Sequence, residues 1–405
     1  MNDQRILAWQ LYAQTLLLLV LYSAASLLSA IKFMPLDPLA NALPYVQISG
    51  LEHVLLDLAL LAGIFASSVY FLFDELSKAL QWVYRAWTGF LVLTVLAGLM
   101  GFFTGQHMLE LPFLLDIALL VLIIAWSIIL FQGKDNAGKL VLITGLLFVV
   151  IGILFSLFPA SNPLSDRIMR VLTVNMRVFV GYPLAGLVIL YWIYEDIPLH
   201  ISAGILAILG SIASIAPLNA VGIITFPAWV LAPCLAIGSV YLAYTLISST
   251  QAWQSIAILL MILGIGVLGT VFIIPEIGSY AIGTRLSDLQ VTLVAWSVLL
   301  IIISSLSLSL KNSQIDSVTN SKSLTVWLIL GGIIASTQTL LLAGVVQVFL
   351  ERVLSVGYLD TQTIIIPLYT LWIIGILILS LGLVKYTYHV IVSGTHLGKT
   401  VSAEV

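Results

Sequence analysis

The sequence predicts an all-α, polytopic membrane bundle of about twelve transmembrane helices, and three observations predict it. Of the 405 residues, 61% are hydrophobic and only 8% are charged, where a soluble domain carries about a quarter charged residues. The apolar residues are gathered into long runs separated by short polar punctuation. The runs are continuous, whereas a membrane β-barrel needs short strands of alternating polarity. Lipid offers no partner for a free backbone N–H or C=O, so these runs must satisfy their own backbones as helices.

The runs follow one another along the whole chain. The first, Leu7–Phe33, follows Arg5 and is too long, with no small-residue cleavage site, to read as a removable signal peptide. Ile48–Phe73 ends against Asp74 and Glu75, and Val83–Phe103 follows Lys78. Pro112–Phe131 and Leu140–Phe158 flank the polar stretch holding Lys134, Asp135 and Lys139. Val171–Tyr194 closes the first half. Ile201–Ala216 is the shortest, followed by Ile223–Ile247, Trp253–Ile274 and Leu289–Leu310. Leu324–Phe349 and Ile364–Val392 complete the set. At 1.5 Å per residue most of these runs cross a hydrocarbon core of about 30 Å. No connecting segment is long enough for a soluble domain, so residues 1–405 read as one integral membrane domain.

With the N-terminus cytoplasmic, nine of the fifteen Lys and Arg residues fall on the cytoplasmic side and six opposite. The positive-inside bias therefore puts both termini in the cytoplasm. Trp9, Trp82, Trp253 and Trp372 are expected near span ends as interfacial anchors. The net charge of −3 and the lack of a basic run exclude nucleic acid as a partner; the lipid bilayer is the obligatory one. The single cysteine, Cys234, cannot form an internal disulfide, a Cys-type zinc site or an iron–sulfur cluster. The five histidines show no i, i+4 pairing of metal ligands. Gly398-Lys399-Thr400 lacks the leading glycine of a phosphate loop, and Gly264, Gly266 and Gly269 read as helix-packing positions.

Charge at membrane depth costs at least a few kcal/mol, so ionisable residues inside the runs need a partner or a wet cavity. Glu52 and His53 open the second run, with Asp57 one turn after His53 on the same face. Asp116 is just inside the fourth, Arg177 near the start of the sixth, and Arg285 and Asp288 precede the tenth. Glu52, Arg285 and Asp288 can equally be solvated at the interface. Asp57, Arg177 and Asp288 are expected to form one buried polar cluster.

The order of these features resembles subunit I of the haem-copper oxidase superfamily, nearest the C-type cytochrome c oxidases and the nitric oxide reductase large subunit. Gly50-Leu51-Glu52-His53 stands at the family's second-helix haem histidine. The segment Gly101–Leu111 resembles the C-type loop into the fourth helix, with Asp116-Ile117 in register. Pro367-Leu368-Tyr369, Gly375, Gly382 and Tyr388 resemble the last helix. The resemblance implies twelve helices, cytoplasmic termini and a bacterial or archaeal cytoplasmic membrane. It also implies a ligand set that this sequence lacks. His53 fills one haem position. The tenth-helix histidines fall at Asp288 and Gln290, the copper ligand of helix six at Asn175, and the helix-seven pair at Leu218-Asn219. A family arginine in the last helix is replaced by Trp372. Carboxamide and aliphatic groups do not replace imidazole as copper or haem ligands.

The resemblance therefore implies a degenerate scaffold that has lost oxygen and nitric oxide reduction. It would serve as a structural or accessory subunit beside other membrane or cytochrome subunits, with no metal and no cofactor. Bulky side chains, with Phe179, Trp296 and Trp372 as candidates, closer helices, lipid or quinone are expected to fill the space that haem would occupy. Two alternatives stay open: a haem b protein or sensor with His53 as ligand, and a transporter or proton pathway lined by the buried charges.

Overall fold

The computed structural model describes residues 3–34, 45–102, 111–157, 162–309 and 323–402. The positions of His107, Lys311 and Lys322 and the side chains of Arg167, His396 and Lys399 lie outside the described residues. Among the described residues there is no strand, and twelve helices are long and apolar enough to cross a membrane. They are α1 (Gln4–Ile31), α2 (Gln47–Leu72), α3 (Lys78–Leu99), α4 (Phe113–Leu130), α5 (Asn136–Leu157) and α6 (Leu164–Ile193). The remaining six are α7 (Leu199–Ala220), α8 (Ala228–Ile247), α9 (Ala252–Ile273), α10 (Arg285–Ser309), α11 (Leu324–Val353) and α12 (Tyr358–Val392). A short helix, Pro275–Ala281, links α9 to α10.

Helix starts are set by local chemistry. Ser77 caps α3 by accepting from the Leu80 N–H, so that helix begins five residues before the apolar run does. Asn162 and Ser165 form a reciprocal capping box around Pro163, the first residue of the helical turn, which extends α6 outward through the polar turn of Asp166 and Arg170. Asp135 accepts from the N–H groups of Ala137 and Gly138 to start α5, and its Oδ2 also takes the indole N–H of Trp192 at the end of α6. Pro217 lies in the last turns of α7 without ending it, so the seventh span is longer than its apolar run.

The two most enclosed spans are α2 and α10, 89% and 83% buried, and they form the axis of the bundle. Around them α1 packs on α2 and α12, α11 on α12 and α10, and α9 on α10. By contrast α8 is only 22% buried and lies at the periphery, its apolar face turned outward to lipid. Cys234 is exposed on that helix.

Three spans contain a turn of π-helix: Met176–Gly181 in α6, Leu263–Leu268 in α9 and Phe349–Val353 in α11. The first has an evident cause. Pro183 has no N–H to give the Phe179 carbonyl, and its ring would crowd that oxygen in a tight turn. The wider turn relieves the crowding, with the Tyr182 N–H reaching back to the Arg177 carbonyl. Gly210 of α7 lies so close to the Phe179 carbonyl that a Cβ there would come within 2.0 Å of the oxygen. Only a glycine lets the two helices meet at this point.

Trp372 is at the level of the end of α1, since Phe33 lies just past Ile31. It lies within α12, packed with Phe33 and Tyr369 at ring separations of 6.4 and 6.3 Å. Trp82, 69% exposed under the Arg85 guanidinium, has the environment expected of an anchor.

Candidate functional site: a polar cavity at one end of the bundle

Chain direction alternates from span to span. The ends of odd-numbered helices and the starts of even-numbered ones therefore share the face opposite the N-terminus. On that face a cavity of about 980 Å³ opens among α1, α2, α4, α5, α6, α7, α9, α10, α11 and α12. Its volume is at the upper end of the range, roughly 300–1,000 Å³, of small-molecule sites. The expected fillers do not close it: Phe179 and Trp296 are buried, yet the space remains. Phe179 forms part of its wall. Trp296 instead meets Tyr22 edge-on at 5.9 Å and borders a side chamber of about 70 Å³.

The cavity wall carries Glu52, His53, Asp116, Asp166, Arg170, Arg285 and Asp288. Two ion pairs stand in it: Arg170 Nε to Asp166 Oδ2 at 2.7 Å, and Arg285 Nη1 to Asp288 Oδ2 at 3.0 Å. The Arg285 guanidinium also lies over the Phe33 ring at 4.4 Å and the Tyr369 ring at 5.6 Å. Gly283, at φ 75°, turns the chain so that Thr284 and Arg285 enter the wall. This left-handed conformation is open to glycine and strained for other residues.

Glu52 and His53 line both the cavity and the side chamber. The chamber is lined by the hydroxyls of Ser23, Ser26, Ser29 and Ser49, and its polarity and size suit a few water molecules. The Glu52 carboxylate, 8% exposed, accepts hydrogen bonds from Ser26 and Ser29. The charges acting on it are those of Asp288 and Arg285. Glu52 is thus not solvated at the interface; it is held inside the bundle by hydroxyl donors.

The expected cluster of Asp57, Arg177 and Asp288 is divided. Asp57 and Arg177 are both fully buried and paired, Nη1 to Oδ2, at 3.2 Å. The Tyr182 hydroxyl donates to the other carboxylate oxygen of Asp57. Arg177 Nε donates to the Thr173 carbonyl at 2.9 Å. Asp288 belongs to the cavity wall instead, paired with Arg285 at the start of α10. The separation has a geometric reason. Asp57 lies about one turn deeper than His53 and Glu52, whereas Asp288 is in the first turn of its helix.

Tyr182 was not legible as a member of this cluster. It stands five residues after Arg177, about 140° around an ordinary helix. The i→i+5 turn at Met176–Gly181 brings both side chains to the Asp57 carboxylate. A proline closely following a lone intramembrane arginine was the available signal. Gly152 of α5 supplies the room, since a Cβ there would come within 2.7 Å of the Arg177 stem.

The positions where the resemblance expects imidazoles have a different use. Asn175 Nδ2 donates to the Ser214 carbonyl at 2.8 Å, and Ser214 Oγ donates back to the Asn175 carbonyl at 3.1 Å, joining α6 to α7. Asn219 Nδ2 donates to the Ile273 carbonyl at 2.9 Å, and its Oδ1 accepts from the Phe226 N–H at 2.7 Å. Gln290 Nε2 donates to the Gly264 carbonyl at 3.1 Å, within the π-helical turn of α9. These carboxamides tie neighbouring helices together through backbone groups.

The donor set does not fit copper, which needs three imidazoles here. Among the described residues no group of three His, Cys, Asp or Glu side chains could hold a metal ion. Nor does it fit a haem held by two histidines, because among the described residues His53 is the one imidazole in the cavity wall. A haem on a single imidazole fits the residue type and the space. Comparison of the sequence with protein-family models and with curated proteins finds no match.

Proposed function

We propose that this chain is a haem-copper oxidase subunit I-like membrane protein without oxygen- or nitric oxide-reducing chemistry, acting as an accessory subunit of a respiratory membrane complex. The observation that carries the reading is the use made of Asn175, Asn219 and Gln290. Each spends its amide on a carbonyl of a neighbouring helix. Side chains engaged in this way tie neighbouring helices together, and a carboxamide offers no imidazole nitrogen to copper or haem iron.

The accessory role follows from a scaffold with its helices kept and its ligands exchanged. Mild purification from native membranes tests it, with haem spectra and copper analysis of whatever co-purifies. The reading expects haem-bearing partner subunits and no copper in this chain. A copper atom in stoichiometric amount, or oxygen or nitric oxide reduction by the isolated chain, would refute it.

One observation favours a second reading, a haem-binding protein or sensor. His53 lines a cavity of about 980 Å³ that the expected aromatic side chains leave open. A Soret band in the purified chain, abolished by His53→Ala, would establish it.

A further inference from the structure

The cavity has a chemical bias that neither reading uses. Its described lining carries four carboxylates (Glu52, Asp116, Asp166 and Asp288) against two guanidiniums, Arg170 and Arg285. Both guanidiniums are committed to carboxylates of the same wall, at 2.7 and 3.0 Å. Glu52 makes no ion pair with a described residue; its hydrogen-bond donors are the hydroxyls of Ser26 and Ser29. The lining also carries apolar surface from Leu56, Phe179 and Phe272, with Leu56 one helical turn after Glu52. Tyr22 and Tyr45 line both the cavity and the side chamber together with Glu52, and Phe33 lines the cavity.

We infer that the cavity binds an organic monocation with an apolar body, its ammonium-type charge placed at Glu52. A carboxylate removed from bulk water gains most from a cation that shares its enclosed site, because the pair interacts at lower effective dielectric. Aromatic faces around the site attract the same charge, and the apolar wall takes the body of the ligand. An organic anion would meet two arginines whose charges are already met by Asp166 and Asp288. A bare metal ion is disfavoured by the lack of a ligand cluster among the described residues. The inference does not depend on the accessory-subunit reading, because it concerns residues outside the Asn175, Asn219 and Gln290 contacts.

The test uses the full chain in lipid nanodiscs and radiolabelled tetraphenylphosphonium, with tetraphenylborate as its anionic counterpart. The expected result is saturable binding of the cation near one per chain and no saturable binding of the anion. Glu52→Gln, which keeps an acceptor for Ser26 and Ser29, weakens cation binding about tenfold or more. Leu56→Trp, which fills the apolar wall, also weakens it while leaving Glu52 in place. Non-saturable uptake, equal affinity for the anion, or unchanged binding in a folded Glu52→Gln protein would overturn the inference. Nanodiscs of phosphatidylglycerol alone, compared with discs containing phosphatidylethanolamine, separate the sources of the ammonium. Competition by phosphatidylethanolamine assigns it to a lipid headgroup, and unchanged binding assigns it to a free amine.

Discussion

Replacing Asp57 by alanine removes the counter-charge of a fully buried guanidinium. Arg177 would keep its Nε bond to the Thr173 carbonyl but lose the carboxylate 3.2 Å from Nη1. Tyr182 would lose the acceptor of its hydroxyl at the same time. Breaking a buried pair from one side costs about 3–5 kcal/mol, because the remaining charge is left uncompensated. The stranded Tyr182 hydroxyl adds about 1–3 kcal/mol if no water reaches it. The expected loss for Asp57→Ala is therefore at least about 3 kcal/mol, measured by reversible unfolding in mixed micelles. The double variant Asp57→Leu, Arg177→Met separates this cause from simple loss of packing. Replacing both charges with apolar groups of similar size is often neutral or stabilising, so the double variant should recover most of the loss. A single variant costing less than about 1 kcal/mol, or a double variant no better than the single, would refute the reasoning.

Further measurements follow from the same geometry. Tyr182→Phe removes one hydrogen bond to a charged acceptor and should cost about 1.5–3 kcal/mol, less than Asp57→Ala in the same unfolding assay. Gly152→Ala sets a methyl within 2.7 Å of the Arg177 stem and 2.8 Å of the Thr173 carbonyl. It should destabilise by about 1–3 kcal/mol, and Gly152→Ala combined with Arg177→Met should cost less than the sum of the two. Asn219→Leu strands the Phe226 N–H and withdraws a donor from the Ile273 carbonyl, with an expected cost of about 1–3 kcal/mol per buried group. Its folding should be insensitive to added copper, which titration calorimetry can check.

The twelve spans were legible because lipid leaves a long apolar run only one satisfied backbone conformation. Every apolar run of the sequence corresponds to a span of the structure, including the shortest run, Ile201–Ala216, which lies within Leu199–Ala220. The pairing of Asp57 with Arg177 was partly legible as well, since two charges at membrane depth each demand a partner. What hydropathy does not encode is depth and azimuth. Asp288 looked equivalent to Asp57 by charge, yet its place in the first turn of α10 puts it against Arg285 and the cavity wall. Tyr182 joins Asp57 only because Pro183 widens a turn, a change in helical period that an apolar pattern does not show. The cavity is likewise a property of packing. Phe179 and Trp296 are large and buried as expected, but their directions are fixed by helix rotation, and the cavity that Phe179 borders stays open. The sequence by itself determined that this chain crosses the bilayer as helices, since that follows from the free energy of backbone groups in lipid. Only the tertiary structure decided which buried charges meet and where the polar space lies, because those depend on how each helix is turned toward its neighbours.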